Sequence, residues 1–307
     1  MAEEMRIYMK DTANAVAGKL QKMLAYSMRD RIILSYLNYP ARRNRINMHW
    51  FAIGEKKLGG LECRKKTDVQ NFGDYLANPI WDYMMQYYHL DPDYVSDKTY
   101  HVYTVGSIIM LGYQDACIWG SGLLRSEPEG SQWGRNTYRK LDIRCVRGPE
   151  TMRRLKENGY DVSKCVFGDP GLLMPLIYQP KEGEKADYVV VRHMSQSTAD
   201  KNQVDIMTDD WKSVIDQIYN SRLVISSSLH GIIIAEAYGI PAILLGPVQF
   251  NDYFKYNDYY YSTGRTEYPV CTSVEEALKM QIPKVPDVSG LQKNLLNSFP
   301  TDLWKRK

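Results

Sequence analysis

The stretch Val224-Ile225-Ser226-Ser227-Ser228-Leu229-His230-Gly231 brings together three features that chemistry can use. An apolar run of strand length feeds straight into a helical pattern. The first turn of that helix holds backbone N–H groups without intrahelical acceptors and roughly half a positive charge, which suits a phosphate or a carboxylate. Ser226–Ser228 add hydroxyl donors, and one of them can also cap the helix. His230 falls in the same turn, and Gly231 leaves room for a close backbone or ligand. A serine cap beside an incidental histidine would need no function. Three hydroxyls and a histidine at one helix start point instead to an anion-binding site.

Other residues could join it. Arg144 and Arg147 flank Cys145-Val146 at the end of an apolar run, on opposite faces if that run is a strand. Arg147 stands at the turn and is the better anion ligand, whereas Arg144 reads as a salt-bridge former. Asn71-Phe72-Gly73-Asp74 precedes a helical pattern. Asn71 can cap it and Asp74 suits its dipole, or Asp74 can accept hydrogen bonds from sugar hydroxyls. Arg192 and His193 close another strand-like run and are weaker candidates. Tyr253–Tyr261 is rich in tyrosine, which fits either sugar stacking or core packing with hydroxyls reaching polar partners.

The elements that must position these residues alternate. Residues 1–37 read as a helix with Met9, Ala13, Val16, Leu20 and Met23 on one face and Lys10, Lys19 and Lys22 off it. Such a helix either lies on an anionic membrane surface or packs on its own domain or a second subunit. Ile46–Ile53, Val102–Val105, Ala116–Trp119, Asp142–Val146 and Val166–Phe167 read as strands, with helices over Gly73–Leu90 and after Arg147-Gly148-Pro149. Gly54–Gln70 is a charged loop. Gln179–Ala186 is polar, contains Pro and Gly, and marks the best boundary. Beyond it the pattern restarts: strands Tyr188–Arg192, Leu223–Ile225 and Ala242–Leu245, helices Asp209–Asn220 and Leu229–Tyr238. The expected divisions are a helical extension over 1–45, α/β units over 46–178 and 179–285, and a tail over 286–307. Alternation of this kind builds parallel sheets, with ligands outside the carboxyl ends of the strands.

Bulk properties narrow the classes. The 307 residues carry a net charge of +3, but residues 1–45 hold nine Lys/Arg against four acids while the remainder is slightly acidic. The body is therefore not a basic nucleic-acid binder. Five cysteines are scattered without C-x-x-C pairs, so reduced thiols are expected rather than disulfides or structural zinc. No signal-peptide pattern and no long apolar span is present, which predicts a cytoplasmic protein. The phosphate-loop, nucleophile-elbow, zinc-protease and dinucleotide fingerprints are missing. Five well-scattered histidines predict no metal site.

Taken in order, Asn71-Phe72-Gly73-Asp74, Trp119-Gly120-Ser121-Gly122, Val146-Arg147-Gly148-Pro149, Gly168-Asp169-Pro170-Gly171, Ser227-Ser228-Leu229-His230-Gly231 and Ala235-Glu236-Ala237-Tyr238-Gly239-Ile240-Pro241 resemble the polysaccharide pyruvyl transferase family. The resemblance implies two Rossmann-like domains facing across a cleft, similar to the GT-B arrangement of many glycosyltransferases. It implies transfer of the carboxyethylidene group of phosphoenolpyruvate to a sugar diol, without a cofactor. His230, Arg147 and Asp74 become the expected catalytic residues. Asn71, Gly73, Ser121, Arg192, Ser227, Ser228, Leu229 and Lys255 become the expected binding residues. The family motif often reads Ser-x-Arg-Leu-His-Gly, and here Ser228 stands at the arginine position. That moves one donor contact to another cation such as Arg192 or Lys255. A lipid-linked acceptor would suit a basic N-terminal helix at the inner face of the membrane. Two alternatives stay open: a nucleotide-sugar glycosyltransferase of the same architecture, and a non-catalytic membrane-associated assembly partner that keeps the fold.

Overall fold

A computed structural model describes residues 42–52, 54–55, 65–66, 69–111, 114–126, 139–196, 199–248 and 251–304. The helix expected over residues 1–37 and most of the Gly54–Gln70 loop lie outside the described residues.

Two parallel sheets organise the chain. The elements of the first half are strands β1 (Ile46–His49), β2 (Gly54–Glu55) and β3 (Lys65–Lys66), helices α1 (Phe72–Tyr75) and α2 (Ala77–Tyr87), strands β4 (Tyr100–Tyr103), β5 (Ala116–Trp119) and β6 (Leu141–Val146), helix α3 (Pro149–Glu157), strand β7 (Val166–Phe167) and helix α4 (Met174–Ile177). Strands β1, β4, β5, β6 and β7 form one sheet in that order, every pair parallel, while β2 and β3 make a small antiparallel pair. The second half holds β8 (Val189–Val191), α5 (Trp211–Tyr219), β9 (Val224–Ser226), α6 (Leu229–Ala237), β10 (Ala242–Leu245), α7 (Phe254–Ser262), β11 (Val270–Cys271), α8 (Val274–Ala277) and α9 (Ser289–Ser298). Its sheet runs β11-β10-β9-β8, again all parallel.

Local sequence explains these choices. Val-Val-Val and Ala-Ile-Leu-Leu are buried along their whole length, as a parallel sheet covered on both faces requires. Helix α3 starts on Gly148 with Pro149 in its first turn, where a missing N–H costs nothing. Helix α5 is capped by Asp210, whose side chain accepts the Ser213 N–H. The helix expected over Gly73–Leu90 is broken in two at Leu76, between α1 and α2.

The sheets share one apolar core. A single cluster joins Val102, Trp119 and Cys145 of the first sheet to Val191, Val224 and Leu244 of the second through Phe72, Leu172 and Ile233. The Phe72 N–H donates to Ile206 O at 2.9 Å across the same seam. The segment expected as a tail over 286–307 is structured up to residue 304 and returns to the first sheet. Leu291, Leu295 and Phe299, spaced one turn apart, bury one face of α9, and Trp119 Nε1 donates to Leu295 O at 3.0 Å. Asn294 Nδ2 and Gln292 Nε2 donate to Phe167 O and Leu172 O. Among the described residues, no helix is long and apolar enough to cross a membrane, and Cys117, Cys145, Cys165 and Cys271 are free.

Candidate functional site

Because every strand in each main sheet points the same way, all carboxyl ends of a sheet lie on one edge. Those edges converge. Arg147 follows β6, Asp169 follows β7, His193 follows β8, and Ser226–His230 follow β9. Asp74 arrives from α1, while Lys255 and Asp258 arrive from α7.

Helix α6 starts directly after the serine loop, where the sequence places it. Ser228 is its N-cap, with no hydrogen bond from its side chain to the helix. The Ser228 N–H is taken by Ser226 Oγ at 3.0 Å. Among the described residues no acceptor takes the N–H groups of Leu229, His230 and Gly231. Ser226 and Ser227 serve the loop instead: Ser226 Oγ donates to Val191 O at 2.9 Å, and Ser227 Oγ donates to Gln196 Oε1 while accepting the His193 N–H. Ser228 is thus the serine whose hydroxyl is left for a ligand. Leu229 is a core residue by its side chain and contributes its N–H.

His230 lies close against α1. A Cβ on Gly73 would fall 2.3 Å from His230 Nδ1, so only glycine fits there. On the other side of the ring, His230 Nε2 sits 4.0 Å from Asp169 Oδ2, and both atoms are buried without a hydrogen-bond partner among the described residues. Buried orphan groups of this kind cost about 1–3 kcal/mol each, so a folded protein keeps them where they serve something. Burial, reinforced by Arg147, Lys255 and His193, pushes the His230 imidazole down to about 3. The imidazole is therefore neutral near pH 7.

The neighbouring acids move the other way. Burial pushes Asp169 up to about 6, against the pull of Arg147 and the Gly171 N–H. Burial pushes Asp74 up to about 7, opposed by Lys255 and aided by Asp169. Lys255 is 7% exposed, and its pKa falls to about 8 through burial and the charge of Arg147. Its ammonium has no hydrogen-bond or ion-pair partner among the described residues and rests over the Tyr256 ring, 5.1 Å from the centroid. Acids raised toward neutrality beside a cation and an imidazole pushed down make this cluster the candidate functional site.

Several expected ligands have other employment. Arg147 is fully buried, and its fork is committed: Nε to Asp258 Oδ2 at 3.1 Å, one terminal nitrogen to Ser107 Oγ and the other to Leu123 O. Gly122 makes room for it, since a Cβ there would meet the guanidinium at 2.4 Å. Arg147 therefore acts on the site by its field and by fixing α7, not as an open fork. Asp258 in turn accepts the Thr151 N–H and hydroxyl. Arg192 makes a bidentate pair with Asp200, at 2.5 and 3.0 Å, which leaves Lys255 as the available cation of the two expected. Ser121 is buried and donates to Gly106 O at 2.8 Å. Asn71 is the cap of α1, accepting the Asp74 N–H at 3.2 Å. Arg144 forms the expected salt bridges, with Asp142 and Asp302. The tyrosine run is a core helix: Tyr256 Oη donates to Ser227 O and Tyr259 Oη to Glu236 Oε2, both at 2.7 Å.

Sequence reasoning missed Asp169 and Asp258 as members of the site. Asp169 stood inside the quoted Gly168-Asp169-Pro170-Gly171 turn, at the carboxyl end of a short strand, and that position was the usable signal. Asp258 sat unmarked among tyrosines.

The chain is 29% identical over 201 residues to "Uncharacterized protein L143" of Acanthamoeba polyphaga mimivirus, an alignment covering 59% of this chain and 67% of the relative. Among solved structures it is similar to a protein described as functional uncharacterized, KP1_0663 of Klebsiella pneumoniae subsp. pneumoniae NTUH-K2044, with a TM-score of 0.46 and 16% identity, over 83% of this chain and 98% of that one. A family model described as polysaccharide pyruvyl transferase matches residues 71–247, more than half of the chain, from the cap of α1 to just beyond β10. Those residues include Asp74, Arg147, Asp169 and His230, and the chain belongs to the polysaccharide pyruvyl transferase family.

Proposed function

We propose that this chain transfers the carboxyethylidene group of phosphoenolpyruvate to a sugar diol, with the donor held at the start of α6. The observation that carries the reading is the Lys255 ammonium, which has no hydrogen-bond or ion-pair partner among the described residues and whose charge acts on His230, His193 and Asp74 beside the α6 N–H groups that no described residue accepts. Phosphoenolpyruvate carries a phosphate and a carboxylate close together. The Leu229, His230 and Gly231 N–H groups, the Ser228 hydroxyl and Lys255 can hold these anions, with Lys255 in the role that the family motif often gives to an arginine at position 228. The two sheets then act as the facing halves of a GT-B-like pair, divided near 178/179.

The reaction forms two C–O bonds to the former enol carbon and breaks its bond to the phosphate oxygen. Two protons leave the acceptor hydroxyls. One ends on the methylene carbon, which becomes a methyl group, and the other leaves with phosphate. Asp74, whose pKa lies near neutrality, is the acceptor-side base. His230 delivers a proton to the donor. Burial and the charges of Arg147 and Lys255 disfavour protonation of the imidazole, and the negative charge of the donor favours it. The acceptor in this reading is a galactose-type residue of a lipid-linked oligosaccharide, and the basic residues of segment 1–40 hold the enzyme at the cytoplasmic leaflet.

The test incubates the protein with phosphoenolpyruvate and a panel of β-galactosides, follows phosphate, and looks by mass spectrometry for a sugar carrying one added carboxyethylidene group. Phosphate release with that product supports the reading. Turnover of a nucleotide sugar with release of a nucleoside diphosphate would replace it with a glycosyltransferase. Acceptor binding without any turnover would leave an assembly partner.

A further inference from the structure

Asp169 is 1% exposed and divides its work between two oxygens. Oδ1 accepts the Gly171 N–H at 2.9 Å and caps the short turn Pro170–Leu173 that packs against α6. Among the described residues Oδ2 has no hydrogen-bond partner and faces His230 Nε2, which has none either, at 4.0 Å. That distance is too long for a hydrogen bond, which needs about 2.7–3.2 Å between heavy atoms. It is also too short for a bridging water, which would hold the two atoms about 4.5 Å apart. The gap therefore closes directly or serves nothing. Catalytic hydrogen bonds in empty sites are often long and tighten when substrate arrives.

Charges on every side of the imidazole bear on that closure. Arg147 from β6, Lys255 from α7 and His193 beyond β8 oppose its protonation, and the charge of Arg147 is shared with Asp258. Asp169 faces it from the loop after β7, and Asp74 approaches Lys255 from α1.

We propose that Asp169 is the positioning residue of His230: once an anion occupies the start of α6, its Oδ2 accepts the His230 Nε2–H, fixes that tautomer and leaves Nδ1 as the nitrogen that exchanges a proton with substrate. The inference rests on the reading of the α6 terminus as the donor site. The imidazolium gives its Nδ1 proton to the donor, keeps its Nε2 proton on Asp169, and regains a proton at Nδ1 from an acceptor hydroxyl. Asp169 does not touch substrate. Its turn-capping oxygen keeps it fixed while the ring closes the gap.

The experiment uses Asp169→Asn in the full chain, which keeps an oxygen for the Gly171 N–H and removes the negative charge. The expected loss in kcat is about 100-fold or more, with the KM for phosphoenolpyruvate within about threefold and the alkaline limb of the kcat profile moved to lower pH. Asp169→Glu is expected to recover part of the rate. A readout independent of turnover is the 15N NMR signature of His230 with saturating inorganic phosphate, assigned by its loss in His230→Gln. At a pH above the point where the phosphate-bound imidazolium loses its proton, the wild type should show the Nε2–H tautomer, and Asp169→Asn should lose that preference. An unchanged signature in Asp169→Asn, or a rate that falls only in proportion to lost folded protein, would overturn the proposal. A wild type that fails to turn over phosphoenolpyruvate yet shows the Asp169-dependent tautomer would sink the pyruvyl transfer reading and leave the pair standing.

Discussion

In the proposed reaction His230 stays uncharged until the donor binds, a condition that burial and two nearby cations impose. His230→Ala is expected to cost about 100- to 10,000-fold in kcat, measured as phosphate release. Lys255 should act on binding instead. Lys255→Met is expected to raise the KM for phosphoenolpyruvate about tenfold or more, the worth of one hydrogen bond to a charged group, and to flatten its dependence on salt. Stability follows the carboxylates with the opposite sign from ordinary ion-paired acids. The folded-state pKa of Asp74 is raised from 3.8 to about 7, so its contribution is fully present below pH 3.8 and lost as pH rises through 7. Asp74→Asn should therefore raise the Tm at pH 8 and change it little near pH 4, readable by calorimetry. His230 and the start of α6 were legible in the sequence, because a serine loop between an apolar strand and helix leaves few other readings. The employment of Arg147 was not. Its position at a strand end looks the same whether its fork is open or closed by Asp258, which lies 111 residues away in the chain.

At the scale of elements, two close approaches hold the site together. Helix α1 meets α6 at Gly73, and α3 meets α7 at Gly148, where a Cβ would fall 1.8 Å from the Asp258 carbonyl oxygen. Gly73→Ala is expected to destabilise the fold by about 1–3 kcal/mol and to lower kcat by displacing the His230 ring, checked by denaturant unfolding alongside the rate. The buried network of Arg147, Asp258 and Thr151 ties β6 to α7 and so places Lys255. Asp258→Ala would leave Arg147 uncompensated in the interior, at a cost of about 3–5 kcal/mol. Alternating apolar runs and glycine turns made most elements visible, and Ala116–Trp119, Val166–Phe167 and Ala242–Leu245 match the structure to the residue. Helix α9 was not anticipated. Its apolar residues are outnumbered by polar ones, and the partners that give it a face lie in the first sheet.

For the whole molecule, charge is the least even property. The first 45 residues are strongly basic and the body is nearly balanced, so the proposed membrane contact belongs to that segment. The full chain is expected to sediment with vesicles containing anionic lipid, less so as salt rises, and a chain lacking residues 1–40 is expected to stay in the supernatant. Equal sedimentation of the two would remove the membrane from the account. The return of α9 to the first sheet carries a consequence for how the protein is made. The Trp119 indole finds its acceptor 176 residues later, at Leu295. At the usual pace of translation, roughly 5–20 residues per second, that partner follows after about 10–35 s. The first sheet thus leaves the ribosome before α9, which covers part of its apolar surface, has been made. A synthesis stalled before residue 289 would yield a nascent chain whose second half can pair its strands while its first half stays open to chaperones and proteases.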